Sequence, residues 1–200
     1  MNYAEVIEFV KNQTSKEDRP DIEPFRSRFE HTMRVYRWAI KLQAKVGGDL
    51  ELITLAALLH DVGWEDGRPS NEVSCEVAVE YLDSIEYDEE RIGRVGELIM
   101  LQNQQEATDE LQGDLSIECK VVMDAILLDE IGAISVLWDA MAVAVSDEAT
   151  YKKAYYRIKN FYRINRPKIR HLKTEIAKKE FEHRLKTIEE FLGELERELF

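Results

Sequence analysis

The stretch LELITLAALLHDVGWED, Leu50–Asp66, decides how the whole chain is read. Up to Leu59 only Glu51 and Thr54 are polar, and then a histidine and an aspartate stand side by side at His60 and Asp61. An apolar run of this length without alternation reads as a helix over Leu50–Val62, apolar on most faces and therefore central, with Gly63 placed to end it. Burying a carboxylate is costly unless a cation or hydrogen-bond donors compensate it. The end of this helix is thus where a core meets something that wants polar groups.

Outward from that helix, the three-and-four spacing of apolar residues persists, and only four prolines and nine glycines interrupt 200 residues. The pattern predicts an all-α fold. Tyr3–Lys16 reads as a short first helix. After Pro24, Phe25, Phe29, Met33, Tyr36, Ile40 and Ala44 form a stripe that runs to Gly47-Gly48. Beyond a loop, EDGRPSNE, helices are predicted at Glu72–Ser84 and Glu89–Gln102, then a long polar loop, NQQEATDELQGD. Ser116–Leu128, Ala133–Val145, Glu148–Ile164 and Pro167–Leu199 complete the set. In the last of these, Phe181, Leu185, Ile188, Leu192, Leu195 and Leu199 recur at steps of four and three, a heptad seam. A long C-terminal helix folded back on its own domain accounts for it, and a homodimer contact through that helix is the alternative.

Composition bounds the rest. The length and a hydrophobic content of 44% suit one domain over residues 1–200. No segment is a basic leader followed by an apolar run, and none approaches eighteen apolar residues, so the expectation is a soluble cytoplasmic protein without a membrane partner. Cys75 and Cys119 are too few for a disulfide framework and read as reduced thiols. A net charge of −13 disfavours nucleic acid. The charge is uneven: Lys152–Lys173 carries nine basic residues and no acid, leaving −22 on the other 178 residues. This island is either a solvated helix face or a local attractor for phosphate.

Of four histidines, His171 and His183 lie twelve apart on a charged helix, roughly 18 Å along the axis, and cannot share a metal. His31, in FEHTMRVYRWA, sits in the apolar stripe of the second helix. Asp124, in KVVMDAILLDEIGA, interrupts an apolar run from Val121 to Leu128. Three sites of metal-ligand type on three apolar helices suggest a common cation.

In order, His31, His60-Asp61 and Asp124 resemble the H…HD…D signature of the HD superfamily of metal-dependent phosphohydrolases. HTMRVYRWA is similar to that family's H-x-x-R-V opening, and DAILLDEIGAI to the D-A-D-x-L-D-x-I-G-A segment of its small single-domain members. The resemblance covers about residues 25–140, with helices 148–199 packing on that core. It implies that His31, His60, Asp61 and Asp124 bind one divalent metal. Two imidazoles and two carboxylates suit Mn²⁺, Fe²⁺, Co²⁺, Ni²⁺ or Zn²⁺ better than Mg²⁺, and Asp61 doubles as the base that orients a metal-activated water.

The implied substrate is a small phosphate ester, a nucleotide in the first instance, cleaved as a monoester or diester. Arg34, one turn from His31, either reaches that phosphate or forms a structural salt bridge. Asp129 has a family match as a substrate contact, with a cap or salt bridge as its alternative. From the basic island, Arg163 and Arg166 are the candidate outer phosphate contacts, and Glu65 or Asp66 is the candidate general acid, with solvated surface residues as the alternative. Four positions depart from the pattern: Val73 and Gln102 replace histidines of many relatives, Ile126 the second Asp of D-A-D, and Trp64 a lysine. These losses favour a mononuclear site and leave open a module that binds a nucleotide or other anion without turning it over.

Overall fold

A computed structural model describes residues 1–18, 25, 27–102 and 115–200. Among them are nine α-helices and one two-stranded hairpin. Pro24 and the polar loop 103–114 lie outside the described residues.

Helix α3, Leu50–Leu59, is the central rod: Leu52 to Leu59 are all buried. Asp49 caps it, accepting the Glu51 and Leu52 amides, and its carboxylate also holds Arg91 of α5, Glu89–Leu101. Around this rod pack α1 (Tyr3–Thr14), α2 (Arg28–Val46) and α6 (Ile117–Asp129), while α4 (Asn71–Ser84) lies against α5. A further layer follows from α7 (Ala133–Ala144), α8 (Tyr151–Asn165) and α9 (Glu175–Leu199). Side-chain oxygens of Asn2, Ser27, Ser70, Asp88, Ser116, Thr150 and Thr174 accept first-turn amides, which is why these helices begin where they do.

Two expectations need correction. The loop EDGRPSNE contains a hairpin, β1 (Trp64–Glu65) with β2 (Arg68–Pro69). Asp66 and Gly67 both take positive φ, 50° and 73°, as a tight hairpin turn requires, and Asp-Gly is the dipeptide that favours it. The last helix does not begin at Pro167. Arg166–His171 form a 3-10 turn, the chain then extends, and α9 starts at Glu175.

The reason for that break is Asp124. Its carboxylate is fully buried and accepts the Lys173 and Thr174 amides, at 2.7 and 2.8 Å, and the Thr174 hydroxyl at 2.6 Å. Three donors from one turn hold the chain extended before α9 and bolt α9 to α6. Farther along, Arg184 of α9 donates to the carbonyls of Leu128 and Ile131, closing the C-terminal end of α6. The heptad seam lies on this inner face: Phe181, Leu185, Ile188 and Leu192 are all buried within the chain itself.

Burial, working against the donors from Thr174 and Lys173, pushes the Asp124 carboxyl up to about 6 from an ordinary 3.8. Between those values the folded chain holds more protons than the unfolded one. This group's contribution to stability is therefore full below pH 4 and lost as pH rises to 6, by on the order of 3 kcal/mol. Urea titrations of wild type and Asp124→Asn across this range should give a difference that changes with that sign. A flat difference would remove the account.

Candidate metal centre

His31, His60 and Asp61 come together at the meeting of α2 and α3, with one ligand-type atom from each within 4.8 Å of the others. His31 lies one turn into α2, and His60 is the C-cap of α3. The chain must turn sharply after His60-Asp61, and Gly63 permits it. A Cβ at Gly63 would sit 2.2 Å from the Ser74 amide nitrogen, so no other residue lets α4 approach this closely. The Ser74 hydroxyl accepts from Gly63 N and donates to Gly63 O, locking the turn to α4.

The imidazole edges carry the chemistry. His60 Nδ1 is 2.9 Å from the Ala57 carbonyl, so it carries the proton and donates. His31 Nδ1 is 2.7 Å from Asp129 Oδ2, and donates likewise to that carboxylate. In the neutral tautomers that keep each proton on Nδ1, the two Nε2 atoms present lone pairs to each other at 3.3 Å. Two acceptors at that distance repel unless a cation lies between them. Burial, and secondarily the neighbouring His31 ring, drives the His60 imidazole down to about 3. A second proton on His60 is therefore not the answer near neutrality, and its lone pair stays available.

This donor set fits a transition metal: two imidazoles and one carboxylate, fewer ligands than such an ion takes, which leaves coordination positions for water and substrate oxygens. The fit is independent of Asp124, whose two oxygens are committed to Lys173 and Thr174. Helix geometry explains the separation. On α6, Asp129 faces His31, position 126 lies about 60° from it, and position 124 about 140° away. The site-facing position one turn before Asp129 is thus occupied by Ile126, an aliphatic side chain.

Asp129 is 6% exposed and serves three donors: His31, and Arg34 through Nε at 2.7 Å and Nη2 at 3.0 Å. Burial alone would raise its carboxyl, but the bonds from His31 and Arg34 hold it below the usual carboxylate range. The salt-bridge alternative for Arg34 and Asp129 is the arrangement found, and it fixes the His31 tautomer. Gln102 also acts as a brace, donating to the His60 carbonyl at 2.9 Å and to Asn71 at 3.0 Å, while its Oε1 is buried without a partner among the described residues. The sequence marked Gln102 only as the replacement of a histidine of many relatives, and Ser74 not at all.

The remaining candidates lie elsewhere. Glu65 is exposed on the hairpin, beside Trp64, whose indole donates to the Asp61 carbonyl and whose ring lies under the Arg28 guanidinium at 4.4 Å. Val73 is on the first turn of α4, where its amide bonds the Ser70 cap. Arg163 and Arg166 line a cleft of about 800 Å³ between α8, the 3-10 turn and α9, with Lys159, Tyr162 and Glu182. None of His31, His60 or Asp61 lines it.

Residues 28–126 match the HD domain family. The chain is an HD-domain protein. His31, His60, Asp61 and Asp124 all fall inside the matched span. Among solved structures, it is similar to an HD-superfamily hydrolase from Bacillus thuringiensis at 26% identity and a TM-score of 0.71, covering 98% of this chain and 95% of that one. A Listeria innocua protein matches at 27% identity and 0.66, over 100% and 98%. Bacillus subtilis YpgQ, solved in complex with ADP, matches at 23% and 0.66, over 98% and 94%, and shares the fold. No curated protein matches the sequence. Among the described residues no helix is long and apolar enough to cross a membrane.

Proposed function

We propose that this HD-domain protein is a phosphohydrolase that uses one divalent transition metal, held by His31, His60 and Asp61, to cleave a small phosphate ester, with nucleotides the first class to test. The observation that carries the reading is the grouping of the two Nε2 atoms, 3.3 Å apart, with the Asp61 carboxylate. A divalent ion bound there supplies Lewis acidity, activating water and withdrawing charge from the phosphoryl oxygen. The protein supplies the rest. Ala57 O and Asp129 fix the tautomers, so that the imidazoles present lone pairs without reorganising. Asp61, contributing one oxygen as a ligand, has a second with which to accept the proton of the attacking water. The ADP complex of YpgQ supports nucleotides as the starting panel.

A second reading is favoured by Ile126, which leaves the site one carboxylate poorer than the resemblance implies: the pocket binds a nucleotide or other anion without turning it over. One experiment separates the two. Purified protein supplied with Mn²⁺, Co²⁺ or Ni²⁺ should retain one ion per chain and hydrolyse at least one member of a nucleotide and phosphoester panel. Metal and ligand binding without product would establish the second reading instead. Absence of bound metal would sink both.

A further inference from the structure

Helix α7, AISVLWDAMAVA, carries a single charged residue, and that residue turns inward: Asp139 is buried and accepts from Arg157 Nε at 2.7 Å. Its outer side is apolar. Ile134, Leu137, Trp138, Met141 and the C-cap Val145 are each between 36% and 57% exposed. With side chains of roughly 200 Å² each, these exposures leave roughly 500 Å² of apolar surface on one helix, near the top of the range for the largest patch on a monomer. A helix apolar on every side is normally buried.

We infer that this face is covered by a second copy of the chain, α7 against α7. Positions 134, 138, 141 and 145 repeat at steps of four, three and four, the spacing by which one helix seats against an equivalent one. The stripe has no charge, so it offers nothing by which a charge-matched foreign partner would be selected, whereas a two-fold pairing needs only the patch itself. Two copies of the patch bury roughly 1,000 Å² in total, which reaches the lower bound for a specific interface. The alternative seam, on α9, is already spent: Phe181, Leu185, Ile188 and Leu192 are buried against the chain's own helices. The inference is independent of the chemistry proposed for the metal centre.

Sedimentation velocity on the full chain over a micromolar concentration series tests it. Wild type should associate to a dimer. Leu137→Glu and Met141→Glu, both at exposed positions and so compatible with folding, should each raise the dissociation constant at least tenfold with helicity unchanged. Phe191→Glu, at an exposed position on α9, should dimerise as wild type does. A wild type that stays monomeric overturns the inference, as do α7 variants that dimerise normally or a dimer lost through Phe191→Glu.

Discussion

Asp61→Ala should emerge from purification without its metal and with turnover reduced by about a thousandfold or more, corresponding to on the order of 4 kcal/mol of lost transition-state stabilisation. Asp61 is 5% exposed and supplies the one carboxylate among the three grouped side chains. Without it, two neutral imidazoles remain, and a divalent ion loses both a bond and the negative charge that offsets its own. The side chain stands at the turn after α3, outside the helical ladder, so far-UV circular dichroism should be unchanged. Asp61→Asn controls for volume: it keeps the shape and one acceptor oxygen but removes the charge, and it should lose metal nearly as completely. A variant that keeps full activity after exhaustive chelation and readdition of metal would exclude the site.

The helices were legible because their signals are local. The apolar run Leu50–Leu59, the glycines at 47 and 48 and the capping side chains each act within a turn or two, and, the start of α9 apart, the structure places helix ends within a few residues of where the sequence puts them. The two helices that carry the candidate site were legible for the same reason: a histidine within an apolar stripe and an HD pair at a helix end are anomalies of burial. Asp124 was the same anomaly with a different resolution. A buried carboxylate demands compensation, but one sequence position does not say whether the compensation is a cation or three donors from a turn fifty residues away. Positions 124 and 129 are about 140° apart on α6 and do not share a face, but the sequence does not say which of the two faces His31, and the structure gives that place to Asp129. The start of α9 was hidden for a related reason: Thr174 caps it, but the break upstream is set by a side chain on α6.

Asp129→Asn should cost about 3 kcal/mol of stability and weaken metal binding 10- to 100-fold. The carboxylate accepts from His31 and Arg34 at once, and an amide cannot. If its oxygen faces His31, its NH₂ is pressed against the Arg34 guanidinium, donor against donor, and the Arg34 charge, at 28% side-chain exposure, loses its partner. If instead the oxygen faces Arg34 Nε, the NH₂ meets His31 Nδ1, which must then accept. The His31 proton moves to Nε2, where it points at the His60 lone pair 3.3 Å away and satisfies the repulsive contact that otherwise calls for a cation. The second orientation keeps more hydrogen bonds, so it should dominate, and it closes the metal site from within. ¹⁵N chemical shifts of the His31 ring distinguish this from a loss of packing alone: Nδ1 should change from protonated to bare and Nε2 the reverse. Arg34→Met, which breaks the ion pair but leaves Asp129 free to hold His31, should destabilise the fold while preserving the tautomer and most of the metal affinity. Equal loss of affinity in both variants, with an unchanged His31 tautomer, would reduce Asp129 to a structural residue.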